Sequence, residues 1–230
     1  MLQFLGRGSA FSDEQNCAFF EADGQLILLD CPMSAFHKLR RFQKPYDGIT
    51  VLVTHTHSDH CGGIPMLIHF AKHVFHVPVT VLAPTDEVAD DLRYLIERLD
   101  GCSPDAYTLV TADAFSADWF RGAVPVDHAA ALSGRCFGYR LHIAGQDVIY
   151  TGDTASLSPF LPYLHAGAYL YTEAACFDSG VHLYIEKLLP ELNRLTAAGV
   201  HVYLMHLDDE DALAEKIKGT GAVFAPLFGA

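Results

Sequence analysis

Apolar positions along the chain alternate between a two-residue rhythm and a helical one. Leu2–Leu5, Ala18–Glu21 and Gln25–Leu29 predict strands, and Asp23-Gly24 between the last two predicts a two-residue hairpin turn. Ser34–Phe42 predicts a helix with Ser34 as its N-cap. Ile49–Val53 is apolar without interruption, the mark of a strand buried on both faces. Ile64–Phe75 predicts a helix after a Gly62-Gly63 turn, and Val79–Leu82 a further strand. Thr85–Leu99 carries apolar residues at 88, 92, 95, 96 and 99, the stripe of an amphipathic helix that Thr85 begins.

The second half repeats this texture. Ala123–Val126, Cys136–Ile143, Asp147–Tyr150, Tyr169–Thr172 and Val200–Met205 predict strands, and His182–Leu195 and Asp208–Lys218 predict helices. No linker rich in Ser, Pro or Gly separates the halves. The expectation is one α/β domain over residues 1–230, an αββα sandwich of two sheets packed face to face with helices outside.

Composition supports a large core, since 50% of residues are hydrophobic and 19% charged. The formal net charge of −13 argues against extended nucleic-acid binding, for which basic patches supply most of the affinity. Some of that acid can face bound cations. The six cysteines are scattered with no CxxC, which predicts reduced thiols and a cytoplasmic protein. The opening MLQFLGRGSAF lacks the pattern of a signal peptide, and no apolar run reaches 18 residues, so no membrane span is expected.

Chemistry concentrates in Thr54-His55-Thr56-His57-Ser58-Asp59-His60-Cys61-Gly62-Gly63, between a buried strand and a helix. In extended backbone alternate residues face the same way, so His55 and His57 can aim at one point. A turn at Asp59-His60 can aim a second pair nearby, and the glycines allow a tight bend before the helix. Imidazole and carboxylate together suit zinc.

This segment resembles the HxHxDH signature of the metallo-β-lactamase-fold superfamily, and later positions match in order. Val124–His128 ends in His, Ile149–Thr154 contains a Thr-Gly-Asp turn, and Val200–His206 alternates so that Val202, Leu204 and His206 share a face. The resemblance implies that His55, His57 and His128 hold one divalent ion, that Asp59, His60 and His206 hold another, and that Asp153 bridges them. The ions it implies are zinc, with manganese or iron as alternatives. A hydroxide shared by them would attack phosphorus or carbonyl carbon, with Asp59 orienting the water.

Leu5-Gly6-Arg7-Gly8-Ser9-Ala10 and Asn16-Cys17 resemble the opening of the ribonuclease Z and phosphodiesterase branch. Leu29-Asp30-Cys31 resembles that branch's strand-end Asp-Cys-Gly, although a tight loop explains it as well. Glu173 and His182 resemble the branch's catalytic Glu and His, where the His assists proton transfer to the leaving group. Ribonuclease Z carries a long arm between the motifs that correspond to His128 and Asp153. These stand only 25 positions apart here (128 to 153), which leaves room for a strand hairpin and no arm.

The expected activity is therefore a binuclear hydrolase, a phosphodiesterase for a small or nucleotide-type substrate. Alternatives are a ribonuclease Z-like endonuclease, an ester, lactone or thioester hydrolase, an iron oxidoreductase on the same fold, or a metal-stabilised binding module. A homodimer is left open. Arg135 and Arg140 are candidates to meet a phosphate, and Lys38, Arg40, Arg41 and Lys44 form a basic group that reads as a solvated helix face. Cys61 reads as a buried thiol. His69, His73 and His76 read as a solvated helical stripe, since no acidic partner is evident. The aromatics around Phe115–Phe120 suit either a pocket wall or core.

Overall fold

In the computed structural model, residues 1–42 and 46–229 are described, and Lys44 of the basic group lies outside them. The first sheet has six strands in sequential order: β1 (Gln3–Gly6), β2 (Cys17–Ala22), β3 (Gln25–Leu29), β4 (Gly48–Leu52), β5 (Val79–Ala83) and β6 (Thr108–Thr111). Strands β1 to β3 form an antiparallel meander, and β3 to β6 run parallel. The second sheet repeats the plan with β7 (Phe120–Pro125), β8 (Phe137–Ile143), β9 (Gln146–Tyr150), β10 (Tyr169–Glu173), β11 (His201–Met205) and β12 (Val223–Phe224). Here β7 to β9 are antiparallel and β9 to β12 parallel.

Alternation along the strands divides the core into three layers. On β3, Leu26 and Leu28 face the helices outside the first sheet, while Ile27 and Leu29 face the second sheet. On β9, Ile149 faces the outer helices of the second sheet, while Val148 and Tyr150 face inward. Phe115, Trp119 and Phe120 pack in the inter-sheet layer, with Trp119 edge-on to Phe20 at 5.3 Å, so these aromatics are core. The expected αββα sandwich is the observed architecture.

The helices are α1 (Met33–Leu39), α2 (Ser58–Cys61), α3 (Ile64–Phe70), α4 (Asp86–Arg93), α5 (Ile185–Ala197) and α6 (Glu210–Lys216). Both α3 and α4 continue as π-helical turns, over Ala71–Phe75 and Tyr94–Leu99, so each covers the length its pattern predicts. Thr85 caps α4 by accepting from the Val88 amide. Asp23 and Gly24 both have positive φ, at 51° and 76°, the hairpin turn their pairing predicts. None of the described helices is long and apolar enough to cross a membrane.

The structure departs from the pattern at five points. Pro32 rather than Ser34 holds the N-cap position of α1, and the Ser34 hydroxyl instead accepts from the Gln15 amide at 3.1 Å. Strand β6 went unread because its residues are at most half-buried and its apolar positions are few. Helix α5 begins at Ile185, not His182, because Tyr184 at its N-cap is extended and bridges to Ala175. Helix α6 likewise begins later than Asp208, at Glu210, with Asp209 capping it. Gly62 and Gly63 hold ordinary right-handed backbone angles, so they do not serve a tight bend.

Gly63 serves close approach instead. A Cβ there would lie 2.5 Å from the Pro32 carbonyl oxygen, and its own amide donates to Cys31 O at 2.8 Å. The Cys31 amide in turn donates to His60 O at 2.7 Å, so the histidine-rich loop is clamped to the end of β3. Gly63→Ala forces backbone against backbone. It should cost about 1–3 kcal/mol, read as a lower urea midpoint; an unchanged midpoint would contradict the clamp.

Candidate metal centre

Every candidate ligand stands just beyond the C-terminal end of a strand. His55 and His57 follow β4, and Asp59 and His60 lie in the short helix α2. His128 follows β7, Asp153 follows β9 and His206 follows β11. These ends meet at one rim of the sandwich, where side chains from both sheets come within 4.8 Å of one another. Gly152, at φ 60° and pressed against the Phe137 carbonyl, makes the turn that presents Asp153.

His206 departs from its expected geometry. Val202 and Leu204 face the outer helices, and simple alternation would send His206 the same way. Its φ of 51° breaks the alternation and turns the ring to the rim, with Nε2 3.3 Å from Asp59 Oδ2 and 3.4 Å from Asp153 Oδ2. A left-handed non-glycine residue is costly, and such strain concentrates at functional sites.

All seven predicted side chains converge. His55, His57 and His128 bring ligand atoms within 4.8 Å of one another, as do Asp59, His60 and His206. Asp153 reaches both groups: its Oδ1 is 3.4 Å from His60 Nε2 and its Oδ2 is 3.8 Å from His128 Nε2. His55, His60, Asp59, Asp153 and His206 are buried.

The electrostatics fit a candidate cation site. Burial lowers the pKa of His55, His57 and His128, which keeps their rings neutral and their lone pairs free. For Asp153, burial opposes ionisation, but His206 and His60 outweigh it and hold the carboxyl well below its ordinary range. Burial also opposes protonation of His60, yet Asp153 and Asp30 raise its pKa well above normal. His60 Nε2 and Asp153 Oδ1 are buried and make no hydrogen bond. Their 3.4 Å separation is a close approach without hydrogen-bond geometry, although it satisfies an ion-pair distance. Each buried polar atom left unpaired costs about 1–3 kcal/mol. Two of them aimed at one point fit a cation between them.

Two further groups orient the ligands. His60 Nδ1 donates to Asp30 Oδ2 at 2.8 Å, which leaves Nε2 for the centre, and Asp30 also accepts from the Thr54 amide and hydroxyl at 2.8 and 2.9 Å. His128 Nδ1 donates to the Val181 carbonyl at 2.8 Å. Asp30, fully buried at φ 64°, is the residue that sequence reasoning undervalued. Its signal was a lone carboxylate closing an apolar strand.

Glu173 ends β10 fully buried, and His182 lies in the loop before α5. The two meet at 2.6 Å through His182 Nδ1, and Glu173 also accepts from the Thr154 amide at 2.5 Å. The His182 ring stacks near His206 at 5.4 Å and lies 4.8 Å from His128, so the pair adjoins the centre. Burial, then the Asp153 charge, pushes the Glu173 pKa well up.

Arg135 and Arg140 do not reach this rim. Arg135 pairs with Asp91 at 2.6 Å, and Arg140 lies over the Tyr163 ring at 3.9 Å. Lys38 is held by Glu14 at 2.7 Å, and Cys61 donates to Thr56 O at 3.3 Å. Asp30→Asn removes the carboxylate that fixes His60. Metal affinity should fall about 10–100-fold, measured by competition with a chromophoric chelator, and an unchanged affinity would contradict this role.

Comparison with known proteins agrees with the fold. A solved metallo-β-lactamase fold protein, YhfI from Bacillus subtilis, superposes with a TM-score of 0.75 at 18% identity, covering 97% of this chain and 94% of that one. A diphosphatase from the PhnP family gives 0.73 at 18% identity, covering 99% and 95%. The "Anti-Pycsar protein Apyc1" of Bacillus phage BSP38 is 27% identical over 234 residues, covering 90% of this chain and 89% of that protein. The family model described as Anti-Pycsar protein Apyc1 matches residues 1–224. With the metallo-β-lactamase fold in place and nearly its whole length matched, the chain belongs to the Anti-Pycsar protein Apyc1 family.

Proposed function

We propose that this protein is a metal-dependent phosphodiesterase for a small, nucleotide-type substrate, with two zinc-class ions at the rim. The observation that carries the reading is the convergence of seven ligand groups around two buried, unpaired atoms, His60 Nε2 and Asp153 Oδ1. His55, His57 and His128 would hold one ion, Asp59, His60 and His206 the other, with Asp153 shared. Bound there, the ions would acidify a water and neutralise charge building on the phosphate.

The chain's own groups complete the chemistry. Asp59 orients the attacking water from beside His60 and His206. A protonated Glu173 donates to His182 Nδ1, which leaves the ring's proton on Nε2. From there it can pass to the departing oxygen as the phosphodiester breaks, while the Glu173 proton moves to Nδ1, leaving a neutral ring and a Glu173 carboxylate. Asp30 and the Val181 carbonyl keep the ligand rings turned toward the centre.

Substrate size follows from the surroundings. A cavity of about 400 Å³ opens beside His182, lined also by Ser156, Ser158, Tyr184 and Lys187. That volume suits a small ligand. The residues between His128 and Asp153 form the β8–β9 hairpin, with no arm to grip a folded RNA. The net charge of −13 points the same way. Membership of the Anti-Pycsar protein Apyc1 family and the fold shared with a diphosphatase are compatible with phosphoryl chemistry.

Metal-loaded protein should be assayed on bis-p-nitrophenyl phosphate, cyclic nucleotides, a lactone, a thioester, a β-lactam and precursor transfer RNA. Phosphodiester turnover is expected, and Asp59→Ala should abolish it while the circular dichroism spectrum is kept. Cleavage of the precursor RNA in preference to small diesters would defeat the small-substrate reading.

Leaving groups give a sharper test of His182. With a cyclic nucleotide, whose departing alkoxide needs a proton, His182→Ala should lower kcat about 100-fold or more. With bis-p-nitrophenyl phosphate, whose leaving group needs none, the loss should be much smaller. Equal losses on both substrates would remove His182 from proton transfer.

A further inference from the structure

A second convergence of metal-binding atoms lies in the helix layer outside the first sheet. His69 sits in the last turn of α3, and Asp100 and Cys102 lie in the loop after the π-helical end of α4. His69 Nε2 is 3.1 Å from Asp100 Oδ2 and 3.3 Å from Cys102 Sγ, and Sγ is 3.6 Å from Oδ2. Imidazole, carboxylate and thiol thus meet from two segments far apart in sequence.

The edges of this triangle can be checked against coordination chemistry. Tetrahedral zinc, with bonds of about 2.0–2.2 Å to N or O and about 2.3 Å to S, has ligand-to-ligand edges of about 3.4 Å for N to O and about 3.6 Å to sulfur. The observed edges match within about 0.3 Å. No such agreement is needed for a mere surface ion pair.

Local structure presents the ligands without help from a cation. The Asp100 amide donates to Leu95 O at 3.1 Å and the Cys102 amide to Ile96 O at 3.0 Å, which shapes the loop. Cys102 is buried, while the side chains of His69 and Asp100 keep 37% and 35% exposure, so a fourth position opens to water. His73 stacks on His69 at 6.4 Å ring to ring and flanks the trio. The acidic partner that the histidine stripe lacks in sequence is therefore Asp100, supplied by the loop that follows the neighbouring helix.

We propose that His69, Asp100 and Cys102 form a peripheral site for a zinc-class divalent cation, tying α3 to the end of α4. Thiolate with imidazole selects such borderline metals over calcium or magnesium. Burial, then Asp100, pushes the Cys102 thiol up to about 11, so it is protonated without a cation. Coordination forms the metal–sulfur bond and releases that proton to solvent. Since α3 starts directly after the clamped Gly63, the cation would brace the helix that follows the histidine-rich loop.

Cobalt distinguishes this site from the rim, where the candidate ligands are imidazoles and carboxylates alone. Full-length metal-free protein titrated with Co2+ should develop a near-ultraviolet thiolate-to-cobalt charge-transfer band. Cys102→Ala and His69→Ala should each lose the band and bind about one cobalt fewer per chain, with an unchanged far-ultraviolet circular dichroism spectrum. Cys61→Ala, which alters the thiol beside His60, should keep the band. A wild-type protein without the band, or a band that survives Cys102→Ala or depends on Cys61, would overturn the proposal and leave a hydrogen-bonded trio.

Discussion

Five imidazoles and two carboxylates crowd the rim of this sandwich, most of them out of contact with water. Such a cluster is expensive unless a positive charge sits at its middle. His60 shows the constraint most plainly. One ring nitrogen is spent on Asp30, and the other lies 3.2 Å from Asp59 and 3.4 Å from Asp153 with no hydrogen bond to either. Only a proton or a metal ion makes that arrangement favourable.

The rest of the fold serves to hold those groups still. Parallel strands in both sheets end at the same rim, so candidate ligands separated by up to 151 positions (55 to 206) meet without long loops. Backbone hydrogen bonds through Cys31 and Gly63 clamp the histidine-rich loop to β3. Asp30 and His206 accept left-handed backbone where a strand would otherwise run on, and both side chains are buried at the site as a result. Rigidity at the ligands is thus built from strand ends, close backbone contacts and local strain, each fixed by different residues.

Local features were the legible ones. The buried strand at Ile49–Val53, the Asp23-Gly24 turn and the HxHxDH loop each announce themselves within a few residues. Geometry that depends on distant partners was harder to read. Asp30 looked like part of a tight loop because its partner His60 is thirty positions away. The chain pattern places His182 in a helix because it carries no sign that Tyr184, two positions on, pairs with the distant Ala175 and delays the helix to Ile185. Alternation places His206 beside Val202 and Leu204 because no pattern in the chain signals a positive φ at a non-glycine residue. The half-exposed strand β6 has too few apolar positions to stand out from a loop.

Crystals of protein loaded with zinc, measured at the zinc absorption edge, put the central claim to its most direct test. Two anomalous peaks should appear at the rim, one among His55, His57 and His128 and one among Asp59, His60 and His206, with Asp153 touching both. A rim without anomalous density, or rings of His128 and His206 turned away from it, would contradict the account.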